Sequence, residues 1–302
     1  MKKIKIKNQK SFFKKHKLLP WLAVFIFISA ILLSISFNHM LKTKAVIDSK
    51  KTEMKSIPPE IKKQIATASP SATFRVPILL YHYVEYVKDK RDTIRQSLNI
   101  NPYVFEQQVK TLSDAGYTFM SAKELGDVLD GKLKIPDKPV LLTFDDGHWD
   151  FYTDILPILK KYKAKATAYI IPGFTGGSDF MTTQQVQEVA DSGLVEIGAH
   201  TVHHISLKNK LLSVVQYEVN ESKTMLENSY HIHVVSFAYP NGAFDVQSVK
   251  VVKDAGFETA VSTVPGIEQN QVNRYFLFRL RPGGRTGQSL LDWLSKSTFK
   301  HY

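Results

Sequence analysis

From about residue 74 onward, short apolar runs rich in β-formers alternate with segments whose apolar positions recur every three to four residues. The runs at 76–83, 139–144, 166–171, 194–199, 234–238, 258–262 and 275–280 predict strands. Between them, Asn101 and Pro102 read as the cap and first residue of a helix that runs to residue 115 and is closed by Gly116. Ser121 and Glu124 form a capping box for a second helix to residue 130. Further helices are expected over 151–163, 183–191, 211–229, 245–255 and 288–297. Strand and helix alternating about seven times imply an α/β fold: a parallel sheet covered by helices, closed or nearly closed into a barrel. Polar residues at the carboxyl ends of such strands converge on one rim. Asp145, Asp146, His200, His82 and Pro240 all fall at or just past predicted strand ends.

A different pattern precedes this domain. Residues 18–37 carry no charge, and as a helix they would reach about 30 Å, enough to cross a bilayer. Eight Lys stand ahead of them, so the positive-inside rule leaves the N-terminus in the cytoplasm and sends the rest outside. The run is longer than the core of a signal peptide, which favours a retained anchor. Residues 42–73, rich in Lys, Ser, Thr, Ala and Pro, read as an extracellular stalk. The expected organisation is a basic cytoplasmic tail (1–17), a transmembrane anchor (18–41), a linker (42–73) and one large domain (74–302).

This layout changes what the net charge of +12 means. Residues 1–63 hold 15 Lys against Asp48, Glu53 and Glu60, whereas residues 74–302 balance 25 basic with 25 acidic side chains. The folded domain is neutral, so no nucleic-acid partner is expected. The chain has no Cys, so there is no disulfide framework and no thiolate ligand. Any metal must sit on His, Asp or Glu.

The candidate chemistry lies in Thr143-Phe144-Asp145-Asp146-Gly147 and His200-Thr201-Val202-His203-His204. Consecutive Asp side chains diverge, which suits one carboxylate on a metal and one facing the reacting water. His200 and His204, at i, i+4, can reach one metal from a helical turn. On that spacing His203 faces away and is assigned no role. Two imidazoles and a carboxylate leave zinc open positions for water and substrate. A glycoside hydrolase using the Asp pair is disfavoured, because two working carboxylates must flank a bond at about 5 Å or more and the His pair would stand idle.

Together the motifs resemble the polysaccharide deacetylases of carbohydrate esterase family four, the NodB-homology domain. The resemblance covers about residues 76–280 and implies a distorted (β/α)7 barrel. It further implies Asp145 as general base, with Asp146, His200 and His204 holding a divalent metal: zinc first, with cobalt, nickel or iron as other occupants. The sequence departs from the family at two points. Ala238 stands where an Arg usually precedes the Pro-aromatic-Gly motif, here Phe237 to Gly242, so Arg279 or Arg281 would have to supply the charge beside the base. The catalytic His usually found near the C-terminus is also missing. Instead Leu79-Leu80-Tyr81-His82 stands at the first strand, as in the circularly permuted, membrane-anchored poly-β-1,6-N-acetylglucosamine N-deacetylases, with His82 as acid.

The implied reaction is metal-assisted hydrolysis of the acetamide on N-acetylglucosamine units of an extracellular polysaccharide. The backbone N–H of Asn241 would serve the oxyanion, and Tyr239 and Trp149 would offer ring faces to the sugar, with His148 bordering the cleft. A peptidoglycan deacetylase, or an inactive carbohydrate-binding relative, is the alternative. The chain is expected to be a monomer at the cell membrane.

Overall fold

The computed structural model describes residues 57–67, 72–87, 89 and 91–297. The expected basic tail and membrane span lie outside the described residues, among which no helix is long and apolar enough to cross a membrane. The stalk expectation needs correcting over part of its length. Helix α1 (Pro59–Thr67) falls inside it, and Ile57 and Ile61 are buried in the main core. Two apolar side chains at i, i+4 around a proline-started helix are what a packed helix needs, so the fold begins ahead of residue 74.

The barrel strands are β1 (Ile78–Tyr81), β2 (Pro139–Phe144), β3 (Ala166–Ile170), β4 (Val195–Ala199), β5 (Ser236–Ala238), β6 (Thr259–Pro265) and β7 (Leu277–Arg279). The helices beyond α1 are α2 (Thr93–Leu98), α3 (Pro102–Asp114), α4 (Ala122–Leu129), α5 (Leu156–Tyr162), α6 (Thr183–Ala190), α7 (Leu212–Tyr230), α8 (Val246–Asp254) and α9 (Gly287–Lys296). Asn101 caps α3 and the Ser121–Glu124 capping box opens α4, as expected from the sequence. The strands pair in parallel in the order β1 to β7. Leu80 N donates to Leu280 O at 2.9 Å and Leu280 N to Ile78 O at 2.8 Å, so the last strand meets the first and the sheet is nearly closed. One irregularity was not expected. A short strand, Thr118–Met120, pairs with the amino-terminal half of β2, while β3 pairs only with Thr143 and Phe144 at its carboxyl end.

Two apolar clusters divide the strands by parity. Leu79, Tyr81, Leu142 and Phe144 belong to the large cluster that includes Phe105 and Val109 of α3. Ile78, Leu141, Tyr169, Ala238, Val261 and Leu277 form the smaller one, the barrel interior. Tyr169 fills this interior so closely that a Cβ at Gly198 would lie 2.5 Å from its ring, and glycine is required there. Carried one or two residues further, the inward parity includes His82, Asp145, His200 and Arg279. The hydrophobic register thus sets which polar side chains share the rim.

Candidate active site

Asp145 follows β2 directly, its N–H donating to Tyr81 O at 3.0 Å. Its carboxylate is buried and gripped by Arg279 of β7: Nη1 donates to Oδ1 and Nη2 to Oδ2, each at 2.7 Å. Arg279 is itself fixed by Nε donating to Ser262 O at 2.7 Å and Nη1 to Thr143 Oγ1 at 3.2 Å. Burial pushes the Asp145 carboxyl up, but the Arg279 guanidinium outweighs it, with His200 and His82 adding to the effect, and the group sits below its ordinary value. Of the two arginines proposed from the sequence, Arg279 occupies the place beside Asp145. Ala238 and Arg279 both belong to the inward parity, so a guanidinium from β7 can enter the space an Arg on β5 would have filled. Arg281 instead borders a small cavity of about 60 Å³ together with His82.

Asp146 turns away from Asp145, as expected of adjacent residues. Its backbone is left-handed, at φ 77°. Oδ1 lies 3.4 Å from His200 Nε2 and 3.2 Å from His204 Nε2. It is buried and makes no hydrogen bond, despite those two short separations. His200 Nδ1 lies 2.7 Å from the Ala238 carbonyl and donates to it, which leaves the Nε2 lone pair facing Asp146. Asp146, His200 and His204 can each present a ligand atom, all within 4.8 Å of one another. An orphaned carboxylate oxygen, two imidazole nitrogens and an oriented tautomer fit a divalent cation. Burial raises the Asp146 carboxyl, but the surrounding imidazoles, His148 and His200 first, prevail and hold it well below the usual range.

The His pair does not lie on a helical turn, which corrects the expectation. Thr201 and His204 are left-handed, at φ 62° and 53°, in a loop beyond β4. Glu218 of α7, which the sequence did not single out, holds that loop. Its Oε2 accepts from Val202 N at 2.9 Å and His203 N at 3.0 Å, and its Oε1 meets His203 Nδ1 at 2.8 Å. His203 therefore turns away from the site, for a reason other than helical spacing.

His82 follows β1 and is half-buried. Burial pushes its imidazole down to about 4, with Arg281 and Arg279 assisting and Asp145 and Asp146 opposing, so it is neutral at pH 7 in this structure. Asn241 is exposed and left-handed, at φ 57°, in the turn Pro240–Gly242. Trp149 is partly exposed and faces a cavity of about 450 Å³ also lined by Tyr86 and Arg95. Tyr239 is misplaced by the sequence reading: its ring is fully buried among Phe237 and Phe244 and its hydroxyl donates to Tyr275 O at 3.0 Å, so it belongs to the core and offers no face to a sugar.

Asp150, directly after Trp149, is buried, with Val84 N donating to Oδ2 and Oδ1 unpartnered among the described residues. Burial pushes this carboxyl up to about 6, against the Val84 hydrogen bond. The folded protein therefore binds the proton more tightly than the unfolded chain, in which a carboxyl titrates near about 4. The stability it contributes is full below that value and is lost as pH rises through about 6. Relative to the parent, Asp150→Asn is expected to gain about 3 kcal/mol between pH 4 and 8 in urea unfolding. A difference that stays constant with pH would refute this.

Residues 132–260 match the family profile described as polysaccharide deacetylase. The chain is 32% identical over 239 residues to YxkH of Bacillus subtilis, which carries the polysaccharide deacetylase name, covering 78% of this chain and 81% of that one. The chain belongs to the polysaccharide deacetylase family. It is also 28% identical over 198 residues to a poly-β-1,6-N-acetyl-D-glucosamine N-deacetylase of Staphylococcus aureus, covering 61% of this chain and 68% of the relative. Among solved structures, the deacetylase PplD of Streptococcus pyogenes in complex with acetate superposes with a TM-score of 0.68 at 30% identity, over 76% of this chain and all of that one. As a polysaccharide deacetylase the protein is a hydrolase, and the nearly closed α/β barrel expected from the sequence is the fold it has.

Proposed function

We propose that this polysaccharide deacetylase removes N-acetyl groups from N-acetylglucosamine units of an extracellular glycan, of the poly-β-1,6 type, and releases acetate. The observation that carries this reading is the buried Asp145–Arg279 pair set beside the Asp146, His200 and His204 cluster: an ionised base held next to a site for a cation. The Staphylococcus aureus relative supports the choice of glycan. An N-terminal anchor over residues 18–41 would hold the domain on the outer face of the membrane, within reach of such a polymer.

In this reading Asp146, His200 and His204 hold the divalent cation, zinc by donor type. When bound, it supplies Lewis acidity to the acyl oxygen and the attacking water. Asp145, kept ionised by Arg279, takes the proton from that water as it attacks the acetamide carbon. The Asn241 N–H, at the rim, donates to the developing oxyanion. His82 then gives a proton to the departing sugar nitrogen. Because its imidazole starts neutral, the proton that left the water for Asp145 is the one available to reach it; the water's second proton leaves the newly formed acetic acid for the amine, and the inventory closes as acetate and a protonated amine.

The test is acetate release by the protein from N-acetylglucosamine oligomers of β-1,6 and β-1,4 linkage and from cell-wall glycan, with and without a chelator. Release from β-1,6 oligomers that stops with chelator and returns with zinc is expected. A folded, zinc-supplied protein that releases none from any of the three sinks the reading. The acid role has its own signature. His82→Ala should lower kcat on the amide by about 10²–10⁴-fold, yet leave hydrolysis of an aryl acetate nearly unchanged, because a phenolate departs without a proton. Equal losses on both substrates would remove His82 from that role.

A further inference from the structure

We infer that His148 is a positioning residue that fixes the Asp146 carboxylate for metal binding and ties it to the segment that carries His82. The inference rests on the metal reading above. A monodentate carboxylate ligand must not rotate about its Cβ–Cγ bond, and while Oδ1 faces His200 and His204, Oδ2 needs a partner of its own. That partner is His148, whose Nε2 lies 3.3 Å from Oδ2. An ionised carboxylate only accepts, so Nε2 is the donor.

The ring that makes this bond has little freedom. It stacks on Tyr83, with centroids 4.0 Å apart and planes 23° apart, and on Phe180, at 5.0 Å and 24°. The backbone is held as well: Trp149 N donates to Asp179 O and Met181 N to Gly147 O, both at 3.1 Å. Gly147, at φ 78°, makes the reversal that brings His148 back under Asp146, and a Cβ there would meet Ile170 Cδ1 at 2.9 Å. The Arg95 guanidinium lies 4.6 Å from the centre of the Tyr83 ring and also pairs with Glu85 and Asp179. Tyr83 follows His82 directly, and Val84 N is taken by Asp150 Oδ2. The turn after the Asp pair and the segment after the His82 strand thus grip each other through the His148 ring and the Asp150 carboxylate.

Two substitutions separate the hydrogen bond from the packing. His148→Phe keeps an aromatic ring between Tyr83 and Phe180 but has no donor, whereas His148→Gln keeps a donor and loses the ring. The measurement is zinc affinity by competition with a chromogenic chelator, alongside thermal unfolding of the metal-free protein. His148→Phe is expected to bind zinc about 10–100-fold more weakly with an unchanged metal-free Tm, and His148→Gln to recover part of that affinity despite a lower Tm. Should His148→Phe bind zinc as tightly as the parent, or more tightly than His148→Gln, the inference is overturned. His204→Ala is the control: if it also keeps full affinity, it is the metal reading that fails, and the two failures are told apart.

Discussion

Arg279→Met is expected to destabilise the protein by about 3–5 kcal/mol, because it strands a buried carboxylate without a counter-ion. Arg279 and Asp145 are both buried and meet through two bonds of 2.7 Å. Deacetylation should fall with it, and the residual activity should need a higher pH: with the guanidinium, the strongest influence opposing burial, gone, the Asp145 carboxyl moves up and ionises later. The double variant Arg279→Met with Asp145→Asn should regain much of the lost stability while staying inactive, since no unpaired charge remains. Urea midpoints of the parent, the two single variants and the double variant measure this cycle. A cost below about 1 kcal/mol for Arg279→Met would mean that the pair behaves as a surface contact, contrary to its burial.

The second large effect separates base from ligand. Asp145→Asn should reduce turnover by about 10²–10⁴-fold while the protein keeps its metal, because Asp145 lies outside the Asp146, His200 and His204 cluster. His204→Ala should lose metal affinity itself, and activity with it, recoverable in part at high metal concentration. Metal content by elemental analysis, with circular dichroism to confirm folding, distinguishes the two. Equal metal in both variants contradicts this division of labour.

Much of this site could be read before any coordinates. The seven strand runs are visible because strands buried on both faces are apolar throughout, and the catalytic motifs stand at their ends. What the sequence left open follows from physics that hydrophobic pattern does not carry. Arg279 and Arg281 share a strand parity, so period two alone could not choose between them; the choice depends on ladder register, with Arg279 paired to Pro265. The left-handed backbone at Thr201 and His204 has no glycine to announce it, and the i, i+4 spacing was therefore read as a helix. Tyr239 lay close to a motif, but closeness in sequence says nothing about which side of a strand end a ring falls on. The Thr118–Met120 strand is too short to show a period. Helix α1 did leave a trace, in Ile57 and Ile61 one turn apart. His148 was noticed as a neighbour of the cleft, yet its bond to Asp146 depends on a reversal at Gly147 that only the fold reveals.

The seam at Leu79 and Leu280 has a further consequence. Asp145 stands after the second barrel strand and its guanidinium partner on the seventh, 134 residues apart in sequence. Arg279 is the immediate neighbour of the residue that closes the ring. Activity therefore reports on barrel closure: the first six strands carry Asp145, Asp146, His200 and His204, but the guanidinium that grips Asp145 is supplied by the seventh. A local opening of that seam would draw Arg279 away from Asp145 and silence the enzyme without unfolding the rest.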